Sequence, residues 1–191
     1  MNTVLLINLI KIRWIAIVGQ LTTLFTIFFV FNFTIPLTEC LFVVALSILV
    51  NFYSYFIQRG NPTLTDKKTF IFLLFDISQL VGLLFLTGGV FNPFVVLILA
   101  PIIISASYLS ALWTILLSLY SIFLILIINF NYIPLNWEQN FIIPSIYNIG
   151  ILVALIITII FLAIYAYLFA SSARKISSAL TATELKLSNQ K

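Results

Sequence analysis

Residues 59–87 read RGNPTLTDKKTFIFLLFDISQLVGLLFLT, and the change of character at Lys68 decides the class of fold. The first ten residues hold Arg59, Lys67 and Lys68 together with Gly60 and an Asn-Pro pair, a composition that belongs in water and interrupts a helix. The nineteen that follow, 69–87, carry one charge, Asp76. A helix needs roughly 20 mostly apolar residues to cross about 30 Å of hydrocarbon, so 69–87 reads as a membrane span that begins beside a cationic loop. The rest of the chain has the same character. Of 191 residues 63% are hydrophobic and 7% charged, far from the soluble average of about half and about a quarter.

Working outward, charge-free stretches of spanning length recur. Residues 14–31 form a first, closed by Asn32 and Pro36; 40–58 form a second; 69–87 are the third. No charge occurs between Gly88 and Trp137, so the partition there rests on helix breakers. These give a short fourth span from Pro93 to Leu109 and a fifth over 111–130. Residues 131–144, with two prolines, three asparagines and Glu138, read as an aqueous loop, and 145–169 as a sixth span. With six crossings all nine cations, at positions 11, 13, 59, 67, 68, 174, 175, 186 and 191, fall on one side, while the loops 32–38, 88–93 and 131–144 hold none. Merging the fourth and fifth spans would throw the last four cations across the membrane. The expectation is an all-α, polytopic integral membrane protein with six transmembrane helices and both termini cytoplasmic.

Three parts follow: a cytoplasmic amphipathic segment at 1–13, a six-helix membrane domain at 14–169 and a cytoplasmic helix at 170–191. The N-terminal cations come after a short apolar run, the reverse of a secretory signal, so no cleavage is expected. The tail has no Gly or Pro, and Ile176, Leu180, Thr183 and Leu187 follow the spacing of a parallel coiled-coil seam. An amphipathic tail resting on lipid headgroups is the other reading of the same residues. The tail has no stop signal, and a signalling helix leading to an output module beyond residue 191 is expected.

Composition removes several functions. With no histidine, one cysteine (Cys40) and one methionine (Met1), the chain lacks the side chains that hold haem, iron–sulfur clusters or catalytic zinc, so no metal or haem is expected. Cys40 reads as a small apolar residue near a helix end.

One motif carries chemistry. Residues 88–94 read GGVFNPF. Paired glycines allow positive φ and close approach of a ligand or of another backbone. Asn92 and Pro93 suit the cap and first turn of the fourth span, whose free N–H groups could face a polar ligand atom. Phe91 and Phe94 add flat apolar surface. A quinone ring with two carbonyl acceptors matches that set, and so does a plain tight turn between two spans. Asp76 is the one ionisable side chain well inside a span and shares a helix face with Gln79. It lies twelve residues from Gly88, about 18 Å along a helix, too far to touch a ring held at the turn. Asp76 and Gln79 fit either a polar clamp onto a neighbouring helix or a proton-linked signalling role.

GGVFNPF resembles the GGxxNPF motif of the RegB/PrrB family of redox-responsive sensor histidine kinases, where it lies between the third and fourth of six membrane helices and is tied to ubiquinone binding. Arg13-Trp14, Asp76 and Gln79 with the run 83–87, Ala100-Pro101 and the run 179–185 are similar to that family as well. The resemblance implies a redox-sensing input domain in a bacterial inner membrane. It also implies noncovalent ubiquinone at Gly88, Gly89, Asn92, Pro93 and Phe94, a homodimer in the lipid bilayer, and a response regulator reached through a kinase module, with no direct contact to nucleic acid. The chain itself holds no phospho-accepting histidine and no glycine-rich nucleotide boxes, so phosphotransfer would belong to the parent kinase. Phe91 fills a variable position of the motif, and Cys40 does not inherit the family's cytoplasmic redox cysteine. A small transporter or lipid-handling membrane protein, motivated by Asp76 among polytopic helices, is the alternative.

Overall fold

The computed structural model describes residues 4–30, 34–58 and 63–134, together with isolated helical positions between 152 and 183. A two-residue strand β1 (Val4–Leu5) leads into α1 (Leu6–Phe25), which continues as a π-helical turn over Thr26–Val30. Then come α2 (Leu37–Gln58), a strand β2 (Thr63–Leu64) and α3 (Asp66–Leu86). Two 3₁₀ segments, Gly89–Phe91 and Pro93–Ile98, precede α4 (Leu99–Tyr108) and α5 (Ala111–Phe130). Apart from the β1–β2 pair, antiparallel with Val4 opposite Leu64 and Leu5 opposite Thr63, the described architecture is helical. That pair fastens the start of the chain to the segment just before α3.

Four helical stretches, 9–30, 37–56, 66–86 and 111–130, are long and apolar enough to cross a bilayer. Burial is inverted accordingly. On α5 the inward face carries Thr114, Ser118, Ser121 and Asn129 among Leu117, Ile125 and Ile128, while Leu112, Ile115, Leu119 and Phe123 face outward. Inward hydroxyls are satisfied along their own helix, as Ser118 and Ser121 donate to the carbonyls of Thr114 and Leu117. Because lipid tails are as apolar as leucine, such helices gain from close packing and inter-helix hydrogen bonds rather than from apolar burial itself.

α3 is the hub, packing on α2, α4 and α5. Leu73 and Ile77 are fully enclosed, and the core they anchor extends to Ile102 on α4, Ile125 on α5 and Ile159 in the sixth apolar stretch. The fourth helical segment, Pro93–Tyr108, is apolar but shorter than those four long stretches. It leaves the turn that follows α3 and ends where Ser105 on α4 meets Thr114 on α5 at 3.0 Å and Trp113 packs on Phe70, in the first turns of α3, at 4.7 Å. Six 3₁₀ residues at about 2.0 Å and ten α residues at about 1.5 Å give it a length of about 27 Å. The break between α4 and α5 is Leu109–Ser110, both extended, where the sequence placed it.

Two boundaries differ from the sequence reading. α1 begins at Leu6, so Lys11 and Arg13 belong to the first apolar helix instead of a separate segment ending at 13; the reason is the burial of Arg13. α3 begins at Asp66, so Lys67 and Lys68 lie in its first turn, where Asp66 complements the positive helix end. In the tail, Leu180 and Thr183 are helical; Ile176 and Leu187 lie outside the described residues, as does most of the loop 131–144.

Candidate functional site

α1 lies along α2 and reaches α3 with two polar side-chain bridges. At the level of the first, Arg13 grips Asp76 in a fork: Nε meets Oδ1 at 2.8 Å and Nη2 meets Oδ2 at 3.0 Å. Arg13 is 5% exposed and Asp76 24%. The other guanidinium nitrogen approaches Ser54 Oγ on α2 at 3.4 Å, and the guanidinium carbon stands 5.3 Å from the centre of the Phe72 ring. Asn51, one turn before Ser54, donates to the Ile10 carbonyl at 3.2 Å. An isolated charge at this depth is costly, so the fork explains both why an aspartate is tolerated in α3 and why the arginine is drawn inside.

The second bridge lies one turn further along α3. Gln20 and Gln79 hold each other through two reciprocal amide bonds, Gln20 Nε2 to Gln79 Oε1 at 3.2 Å and Gln79 Nε2 to Gln20 Oε1 at 3.1 Å. The spacings fit: seven residues separate Arg13 from Gln20 and three separate Asp76 from Gln79, and both intervals keep one helix face.

Where α3 ends, Thr87 donates to the Leu83 carbonyl and Gly88 turns left-handed at φ 105°, followed by Gly89 at φ 62°. Asn92 organises what comes next. Its amide donates to the Thr87 carbonyl at 2.9 Å and to Thr87 Oγ1 at 2.8 Å, and its Oδ1 accepts from the Phe94 N–H at 2.9 Å. Pro93 takes the first position of the 3₁₀ segment. Gly88 donates to the Ile133 carbonyl and Ile133 donates to that of Phe85, so the turn is sewn to the chain leaving α5. At Gly89 a Cβ would stand 2.7 Å from Tyr132 Cγ and 3.0 Å from the Ile128 carbonyl oxygen, which makes glycine obligatory there for two reasons.

This corrects one expectation. The N–H groups at the start of the fourth span are not free to meet a ligand: Phe94 donates to the Asn92 side chain, Val95 donates to the Asn92 carbonyl, and Pro93 has no N–H. Asn92 spends all three of its side-chain hydrogen bonds on the turn.

A cleft of about 410 Å³ runs along α1, α3 and α4 and joins the regions the sequence kept apart. Its walls include Arg13, Gln20, Asp76, Gln79, Asn92 and Phe94, with apolar residues such as Leu80, Leu83, Leu97 and Ile104 between them. Of the residues singled out from the sequence, Asn92, Phe94, Asp76 and Gln79 line this cleft; Gly88, Gly89 and Pro93 do not, the two glycines being buried towards Tyr132 and α5. Arg13, Gln20 and Thr87 also line the cleft and were not among the candidate site residues. The signal for Arg13 was available: a lone intramembrane aspartate requires a partner, and Arg13 is the cation nearest a helix interior. A mostly apolar cleft of this size with a few polar groups is in the range of small-molecule sites, and the described residues hold no group of three or more histidine, cysteine or acidic side chains placed for a metal ion.

Comparison with known proteins agrees with a membrane-embedded sensor. No family model and no solved structure matches the chain. The sensor histidine kinase RegB of Cereibacter sphaeroides is 34% identical over 185 residues, 96% of this chain and 40% of that protein. A second RegB sequence of that species is 35% identical over 73 residues, 38% of this chain and 16% of its own length. This similarity, over nearly the full chain, supports its place in the RegB/PrrB family as a membrane sensor domain. The chain spans about two fifths of the length of the RegB it matches over nearly all of its residues.

Proposed function

We propose that the chain is the redox-responsive membrane input domain of a two-component sensor histidine kinase, and that the cleft along α1, α3 and α4 takes ubiquinone. The observation that carries the reading is the cleft itself, which puts Asn92 and Phe94 of the GGVFNPF motif on one continuous wall with Gln79 and Asp76. A quinone supplies a flat ring with two carbonyl acceptors. Leu80, Leu83, Leu97 and Ile104 offer apolar walls to such a ring, Phe94 offers an aromatic face, and Asn92 holds the α3–α4 turn that shapes one end of the cleft. Ligand that favours one spacing of α1 against α3 and α4 would shift the bundle between two states, by no more than its difference in affinity for them.

In this reading the protein crosses a bacterial inner membrane six times with both termini in the cytoplasm. It forms a homodimer, and the last helix carries the change to a C-terminal kinase module that phosphorylates a response regulator. The transporter alternative was motivated by Asp76 among polytopic helices, and Asp76 is held in a fork with Arg13. The test is autophosphorylation of the complete kinase in proteoliposomes at a series of ubiquinone to ubiquinol ratios. Activity should follow the ratio, and the response should be lost in Asn92→Ala and Phe94→Ala. A kinase that ignores the ratio would refute the proposal.

A further inference from the structure

A second groove, of about 550 Å³, opens between the start of α2 and the last turns of α3 and shares no wall residue with the cleft. Glu39, Phe42 and Val43 line it from α2, Gly82 and Phe85 from α3. Gly82 makes the room: a Cβ there would already touch Val43 Cγ1 at 3.7 Å, so a longer side chain would take up the groove. Phe42 and Phe85 are exposed, as suits walls that meet lipid. α2 has 22 residues, about 33 Å, which matches the hydrocarbon thickness and sets its first turn at the polar boundary. There Thr38 and Glu39 stand exposed at the edge of an otherwise apolar groove.

Glu39 has no counter-ion at this end of the helices. Lysine and arginine are absent from residues 14–58 and 69–173, and the one ion pair among the described residues is Arg13–Asp76. A negative charge in a first turn suits the helix end, which accounts for the residue's place along α2 but not for the groove beside it. We infer that this groove binds a phospholipid with a primary-ammonium headgroup, phosphatidylethanolamine, its ammonium on the Glu39 carboxylate and the upper part of one acyl chain between Phe42, Gly82 and Phe85. The ammonium offers three N–H donors to a carboxylate with acceptor sites to spare, and the Thr38 hydroxyl can donate to a phosphate oxygen. A second copy of the chain fits less well, because a two-fold contact on this groove sets two Glu39 carboxylates against each other. An anionic headgroup meets the same repulsion. The seated lipid lies against the end of α3, where the Phe85 carbonyl accepts from the Ile133 N–H, and so bears on how the glycine turn is held.

The test is native mass spectrometry of the full 1–191 chain released from nanodiscs of equimolar phosphatidylethanolamine, phosphatidylcholine and phosphatidylglycerol, with unfolding temperatures measured in parallel. The parent should retain one phosphatidylethanolamine with a preference of about fivefold over each of the others, the scale of one partly exposed ion pair. Glu39→Gln removes the charge at an exposed position, so it should unfold within a few degrees of the parent and retain the ethanolamine and choline lipids alike. Glu39→Asp, which keeps the charge, should keep the preference. Gly82→Leu should retain less of every lipid, and if that variant unfolds early the two Glu39 variants still decide the question. A parent that does not prefer phosphatidylethanolamine, a preference that survives in Glu39→Gln, or a preference for phosphatidylglycerol would each refute the site, whatever the cleft along α1, α3 and α4 binds.

Discussion

Removing one member of the Arg13–Asp76 fork should be far more harmful than removing both. Arg13 is almost completely enclosed, and apart from Asp76 its described partners are one hydroxyl at 3.4 Å and the face of Phe72. Asp76→Leu therefore strands a guanidinium in a low-dielectric interior, and Arg13→Leu strands a carboxylate whose two oxygens both lose their charged donor. Breaking a buried pair in this way costs about 3–5 kcal/mol, whereas replacing both partners by apolar side chains of similar volume is often neutral. The double variant Arg13→Leu with Asp76→Leu should thus lie within about 1–2 kcal/mol of the parent, a coupling of roughly 3 kcal/mol or more. Reversible unfolding in mixed micelles, following helicity against the denaturing detergent fraction, measures all four proteins. Additive losses, with a coupling under about 0.5 kcal/mol, would mean that the two charges do not depend on each other and that the fork is not what holds Arg13 inside.

Gly89→Ala should destabilise the chain by at least about 1–2 kcal/mol, since a left-handed backbone and the Tyr132 ring both oppose a methyl there. Gly19→Ala, with nothing within 4 Å, should be neutral or stabilising by up to about 1 kcal/mol in the same unfolding assay. Asn92→Ala removes two donated bonds and one cap and should cost about 1–2 kcal/mol, and Asn92→Asp should cost at least as much, because it sets a buried carboxylate oxygen against the Thr87 carbonyl; unfolding of the two side by side checks the order. Cys40, with no exposed surface, should label with maleimide only after denaturation; rapid labelling of the native protein in nanodiscs would contradict its burial.

How much of this was legible in the sequence differs by layer. The four long apolar helices followed from charge-free length and helix breakers, and the break between α4 and α5 lies where those breakers put it although no charge marks it. The glycine turn was legible as a turn, because Gly-Gly and Asn-Pro dictate local backbone whatever surrounds them. What Asn92 does was not, since an asparagine at a cap can face a ligand or its own turn, and only the positions of Thr87 and Phe94 decide that its amide and oxygen are used internally. Gln20 escaped notice because nothing local distinguishes an amide in an apolar helix that faces lipid from one that meets Gln79 59 residues away. Arg13 was misassigned to a surface segment for the related reason that the positive-inside rule counts cations and does not ask whether one of them has a partner in the next span but one.

The inverted faces of α5 bear on how such a protein changes over generations. Its outward residues, Leu112, Ile115, Leu119 and Phe123, are exposed to a solvent that accepts any apolar side chain equally. Substitution among leucine, isoleucine, valine and phenylalanine there is close to free, so lineages should diverge fastest on the face that looks most hydrophobic. Thr114, Ser118, Ser121 and Asn129 have room for little else, and drift should stall at them. In this helix the modest, hydroxyl-bearing positions are the durable ones, and a comparison that weighs all apolar matches alike will understate how much of the structure two distant relatives share.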